Sequence, residues 1–168
     1  MAEANDLCQG AIDDVAGEES TENRPRRSGD YSFYNLGVTG LLCLSSSIPQ
    51  EVRDARGYHP VSGSGGNSEA WHLSTNTLDK ADPDVLQRDV RVYVTVLARL
   101  LTRDVVPLDH RRTVAKHREH VDAYDELAGD DFDLGEVSAE LDALAGAVEG
   151  LYDAVDAGDV DAEAANEG

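Results

Sequence analysis

The sequence predicts an α/β domain that ends in a helical hairpin. Three observations carry that prediction. The apolar run Val38 to Ser46, bounded by Gly37 and Pro49, has the length and composition of a buried strand in an α/β sheet. The pair Asp82-Pro83 opens a long helix, because aspartate is a good N-cap and proline fits the first helical position. Beyond that helix, two further segments repeat apolar residues at helical spacing as far as Ala157.

Taken in order, residues 2 to 16 form an amphipathic helix with Leu7, Ala11 and Val15 on one face. Gly17 to Gly29 is polar, carries the cluster Arg24-Pro25-Arg26-Arg27, and reads as a connection. Tyr31 to Gly37 leads into the expected strand. Ile48 to Gly66 has no clear period and reads as loop with a helical turn. Gly57 to Asp84 is a glycine-rich loop that delivers Trp71-His72 to the start of the next helix. A histidine between a flexible loop and a rigid helix is well placed to be a ligand or catalytic group, although a lone histidine is more often an ordinary loop or core residue. The helix from Pro83 carries Leu86, Val90, Tyr93, Leu97, Leu100 and Leu101 as its apolar face. Thr102 to Pro107 breaks it. A second helix spans Leu108 to Ala128, with Val114, Val121, Tyr124 and Ala128 facing inward. A third runs from Leu134 to Ala157. Its Val137, Leu141, Leu144, Val148, Leu151 and Val155 alternate steps of four and three, a heptad seam. That seam suits either a hairpin buried on its own domain or an oligomer interface. Asp156 to Gly168 is acidic and small, and is expected to lack structure.

The chain has 34 acidic and 14 basic residues, a net charge of −20 spread through its whole length. Only Lys80 and Lys116 are lysines. Diffuse acid with few lysines looks like a halophile surface, where net charge keeps a protein soluble in concentrated salt. The same charge argues against a nucleic-acid partner, which needs basic patches to neutralise phosphate. No apolar run approaches the roughly 20 residues of a membrane span. The start, MAEANDLCQGAIDD, lacks a basic segment followed by a long apolar core, so no signal peptide is expected and a cytoplasmic setting is. Cys8 and Cys43 have no metal-ligand spacing, and Cys43 sits in the apolar run Leu41-Leu42-Cys43-Leu44, as a buried thiol would.

Four pieces between Arg26 and Asp109 resemble the carboxyl-terminal part of the co-catalytic zinc aminopeptidase family, in the branch of glutamate carboxypeptidase II and the transferrin receptor. Ser28-Gly29-Asp30, with Ser32-Phe33 and Leu36-Gly37-Val38, is similar to the segment before the last core strands of that family. Trp71-His72-Leu73-Ser74-Thr75-Asn76-Thr77 resembles its aromatic-His-x-x-x-Asp-Thr element, with Asn76 where the family usually has aspartate and Trp71 where it often has tyrosine. Leu78 to Pro83 resembles the following Asp-Pro helix start. Val105-Val106-Pro107-Leu108-Asp109 is similar to the beginning of a transferrin-receptor-like dimerisation domain.

The resemblance implies the end of a three-layer zinc-peptidase sheet domain followed by a helical hairpin. It implies an N-terminal helix and connection over residues 1–27, the incomplete catalytic domain over 28–104, the dimerisation region over 105–157 and an acidic tail over 158–168. It makes His72 the last ligand of a two-zinc site, with Trp71 and Asp30 on the substrate side. Two zinc ions would clamp and activate a water for attack on a terminal peptide bond. The family's other metal ligands and its general base lie upstream of that histidine, and the 71 residues before His72 do not hold them. Gly17-Glu18-Glu19-Ser20 mimics the family's Glu-Glu pair, and His120-Val121-Asp122 its His-x-Asp pair, both at the wrong place in the order. His110, His117 and His120 on one helix offer an alternative zinc face, more often simply a solvated one. The expectation is therefore a metallopeptidase fragment, inactive alone, whose longer relative could be exported. A different class is a non-catalytic module that forms a homodimer or joins a full-length relative. A third is half of a split enzyme, taking a peptide substrate only when completed by another chain.

Overall fold

The computed structural model describes residues 1–20, 33, 36–40, 50–57 and 73–167. Among them the regular elements are helices: α1 (Asn5–Ala16), α2 (Gln50–Arg56), α3 (Pro83–Thr102), α4 (His110–Ala128), α5 (Gly135–Ala157) and α6 (Ala162–Glu167). Short 3-10 turns lie at Ala2–Ala4, Leu78–Lys80 and Gly129–Asp131. The expected α/β sheet is overturned: among the described residues there is no strand, and the architecture they form is all-α. The physical reason is already in the sequence. Only one apolar run reads as a strand, and a sheet needs at least a second strand to pair with it. The described start of that run, residues 38–40, is irregular chain after a left-handed turn at Gly37 (φ 75°), and Val38 is half exposed. Residues 41–49, with Cys43, lie outside the described residues.

The chain divides into two compact units, residues 7–98 and residues 1–6 with 99–168. In the second of these, α4 packs against both α5 and the turn at Ala2–Ala4. Val114 and Leu141 are its buried apolar side chains on the two long helices. Asp109 starts α4 by accepting the Arg111 backbone N–H at 3.1 Å, an N-cap, while its own N–H donates to the Glu3 carbonyl at 2.8 Å. Glu3 is buried, and its carboxylate accepts the Thr113 hydroxyl at 2.6 Å. Arg112 adds a two-pronged ion pair to Asp6, with Nε donating at 2.7 Å. Glu3 and Asp6 at the start of the chain thus grip the first turn of a helix more than a hundred positions later.

The α4–α5 hairpin closes at Gly129, which takes φ 53° beyond the helix end. Asp133 then accepts the Gly135 N–H at 2.8 Å and starts α5. Arg118 on α4 pairs with Asp142 on α5. At the open end, Tyr152 donates its hydroxyl to the Leu108 carbonyl at 2.7 Å and accepts the His110 N–H at 2.9 Å. A left-handed Gly158 ends α5, with the Asp159 N–H returning to the Ala154 carbonyl at 2.9 Å. The tail departs from expectation. Asp161 accepts the Ala164 N–H at 2.8 Å, and the Ala- and Glu-rich residues after it form α6. The Asn166 amide bonds back to the Val106 N–H and the Asp104 carbonyl, both at 2.9 Å.

In the other unit, Leu7, Ala11 and Ile12 of α1 and Val92 and Val96 of α3 are buried. The chain after α1 is held by Gln9, whose amide accepts from both the Ser20 N–H (2.8 Å) and hydroxyl (2.7 Å) and donates to the Glu18 carbonyl. Most of the expected inward face of α3 is exposed. Leu86, Val90, Leu97 and Leu101 are all at least half exposed and Tyr93 is exposed too, with Leu100 half-buried; the buried side is instead Val92 and Val96, flanked by half-buried Val85, Arg88 and Asp89. An ion pair from Arg88 to Glu18 at 3.4 Å helps hold that side in place.

Candidate functional site

The loop-to-helix start behind the expected zinc ligand forms as its residue types demand. A turn closes from the Asn76 N–H to the Leu73 carbonyl at 3.1 Å, and the Thr77 hydroxyl donates to the Asp79 carboxylate at 2.5 Å. The Asp82 carboxylate accepts the Asp84 N–H at 2.8 Å and the Val85 N–H at 3.4 Å, leaving Pro83 to begin α3. His72, Trp71 and Asp30 lie outside the described residues, so no geometry connects them. The described part of the resembling segment, residues 73–80, is exposed throughout.

The alternative motifs sit on the surface. Glu18 is spent on Arg88, and Glu19 is exposed. His110, His117 and His120 on α4 are all exposed, as is Asp122. Among the described residues no group of three His, Cys, Asp or Glu side chains converges on a point that could hold a metal. The donor set fits zinc poorly as chemistry too. One imidazole is far short of a structural tetrahedron or of a two-ion site bridged by carboxylates.

The charged residues that do converge are structural. Arg111 donates from Nε and Nη2 to the two carboxylate oxygens of Asp109, at 2.8 and 3.1 Å, while its guanidinium carbon sits 4.5 Å from the centre of the Tyr152 ring. The side-chain bond from Arg111 holds the Asp109 carboxyl below the usual carboxylate range, and Asp109 in turn makes Arg111 harder to deprotonate. Lys116 likewise depresses the carboxyl of Glu119. For Asp109 the stabilisation is complete above the ordinary carboxylate value of about 3.9. It is lost as pH falls through the lower folded value. Asp109→Ala is expected to cost about 1 kcal/mol at neutral pH, and much less in acid below both values. Urea unfolding at both pH values checks this, and an equal cost at both would exclude a charge contribution.

The largest feature at the surface of α3 is apolar. Leu86 (64% exposed), Val90 (52%), Val94 (58%), Leu97 (53%) and Leu101 (81%), with Tyr93 (39%), follow one side of the helix. The spacing had identified most of this row, as a core face. No helix among the described residues is long and apolar enough to cross a membrane. Glu3, Tyr152 and Asn166 hold the fold together by long-range bonds that no local motif announces. No protein-family model, curated protein or solved structure matches this chain.

Proposed function

We propose that the chain is a non-catalytic helical interaction module that works by associating with another protein chain. The observation that carries this is the ordered apolar row on the exposed side of α3, opposite the side that the fold buries. Scattered exposed leucines are ordinary, but a continuous row along one helix is the form in which helices present themselves to a groove or to another helix. The helix does not need that row for its own packing, because Val92 and Val96 already serve that purpose. The acidic surface suits a protein partner better than a nucleic acid.

The competing zinc-peptidase reading rests on the resemblance around His72, and the described residues do not form the sheet that the resemblance implied. An assay for terminal peptide-bond hydrolysis with added zinc or cobalt, beside calorimetric zinc titration, separates the two. No turnover and no two-ion uptake are expected. Turnover that disappears in His72→Ala would overturn the module reading, whereas uptake of two ions only after mixing with a second polypeptide would support the split enzyme.

A further inference from the structure

We infer that the apolar row of α3 pairs with the same row of a second copy, antiparallel, about a two-fold axis passing between Tyr93 and Val94. This rests on the interaction-module reading and names its partner. The row is Leu86, Val90, Tyr93, Val94, Leu97 and Leu101, and its steps of four, three, one, three and four read the same in both directions. A two-fold axis at the centre exchanges Leu86 with Leu101, Val90 with Leu97 and Tyr93 with Val94. Each apolar position then faces an apolar position, which is the self-complementarity that an isologous contact requires. At 3.6 residues per turn the six positions fall within an arc of about 100° and run about 24 Å along the helix.

Charge favours this occupant and this direction. Two copies of a chain at −20 repel each other, so contact is easiest where local charge is least negative. Helix α3 carries Arg88, Arg91 and Arg99 against Asp84 and Asp89, a net of +1 by count. By the same count α1 has Asp6, Asp13 and Asp14 with no basic residue, and α5 has only acidic charges. Around the start of α3, Asp79, Asp82 and Asp84 outnumber Lys80, and around its end Arg99 and Arg103 outnumber Asp104. Antiparallel pairing brings the start of one helix beside the end of the other and opposes their macrodipoles, whereas parallel pairing would bring like ends together. The heptad seam of α5 is the weaker candidate, because Leu141 is already buried and Val148, Leu151 and Val155 are half-buried within the chain. A helix pair of this length falls short of the roughly 800 Å² per partner of a standard interface, so the dimer is expected to dissociate on dilution.

The test uses the full chain in about 1 M KCl, where charge is screened within about 3 Å. Sedimentation equilibrium should show a concentration-dependent dimer. Val90→Asp with Leu97→Asp places carboxylates opposite each other, and should raise the dissociation constant about a hundredfold or more with helix content retained, since both positions are exposed. Direction is read by cross-linking in a Cys8→Ser, Cys43→Ser background. A mixture of Leu86→Cys and Leu101→Cys chains should form the mixed disulfide, and Leu86→Cys alone should not. A dimer that survives the double aspartate variant, or that cross-links through Leu86→Cys alone, overturns this pairing while leaving the module reading standing. A parent chain that stays monomeric also overturns it. Peptide turnover dependent on His72 would remove the module reading itself.

Discussion

Replacing Leu141 by alanine is expected to lower the unfolding free energy by about 2–5 kcal/mol, the range for truncating a buried leucine. Leu141 is 7% exposed in the middle of α5, on the helix that packs against α4. Leu144 belongs to the same heptad seam but is 47% exposed, and Leu144→Ala is expected to cost about 1 kcal/mol or less. Urea unfolding of the two variants, followed by circular dichroism in concentrated salt, gives the comparison. The loss at Leu141 should not depend on protein concentration, because the side chain is buried within one chain. Equal losses at the two positions, or a Leu141 effect that fades on dilution, would mean that the seam is covered by a second chain instead.

That contrast shows what spacing can and cannot do. The alternation of four and three along α5 correctly marks one side of a helix, but it gives Val137, Leu141, Leu144 and Val148 equal standing. Which of them is buried depends on where the partner helix lies, and the partner's position is a tertiary fact. Helix α3 makes the same point more severely. It carries two apolar rows, one through Val92 and Val96 and one through Leu86, Val90, Tyr93 and Leu97. The longer row reads as core, yet the fold buries the shorter one with Arg88 and Asp89 half-buried beside it. Valines flanked by an ion-paired arginine are a weak signal for a core face, and the pairing of Arg88 with Glu18 across 70 positions is not visible to any periodicity.

The start at Asp82 was legible because capping is local: its carboxylate receives backbone N–H groups within three residues, so residue type and position alone suffice. Asp109 and Asp133 receive a backbone N–H in the same way, but apolar spacing alone begins those helices at Leu108 and Leu134. The sheet was not legible on the same terms. Val38 to Ser46 has strand-like composition, and that run suggests an α/β sheet, but pairing is non-local and the sequence offers no second strand; the three-layer form comes from the resemblance. The zinc site was likewise supplied by resemblance. The bonds from Glu3 to Thr113 and from Asn166 to Val106 are polar contacts between ordinary surface residue types, and only the folded chain brings them together.

Stability should rise steeply with salt. Two opposing terms decide the sign. Ion pairs such as Arg112 with Asp6 and Arg118 with Asp142 lie at the surface and contribute about 0–1 kcal/mol each, which salt weakens. Against them stands an excess of acid, 34 residues to 14 basic, that no internal pairing can neutralise. That excess repels itself over about 10 Å at 0.1 M salt and over about 3 Å at 1 M. Folding concentrates it, so screening favours the folded chain more than the unfolded one. Helix α5 is the sharpest case: Glu136, Glu140, Asp142, Glu149, Asp153 and Asp156 line it without a single basic residue of its own. The midpoint of thermal unfolding by circular dichroism should therefore be clearly higher in about 1 M KCl than in about 0.1 M. Replacing Glu140 and Asp153 by lysine should narrow that gap by adding i,i+4 partners and removing like charge. An unfolding midpoint that is unchanged or lower in the concentrated salt would show that the ion pairs outweigh the excess charge, and would remove the case for a halophile-like surface.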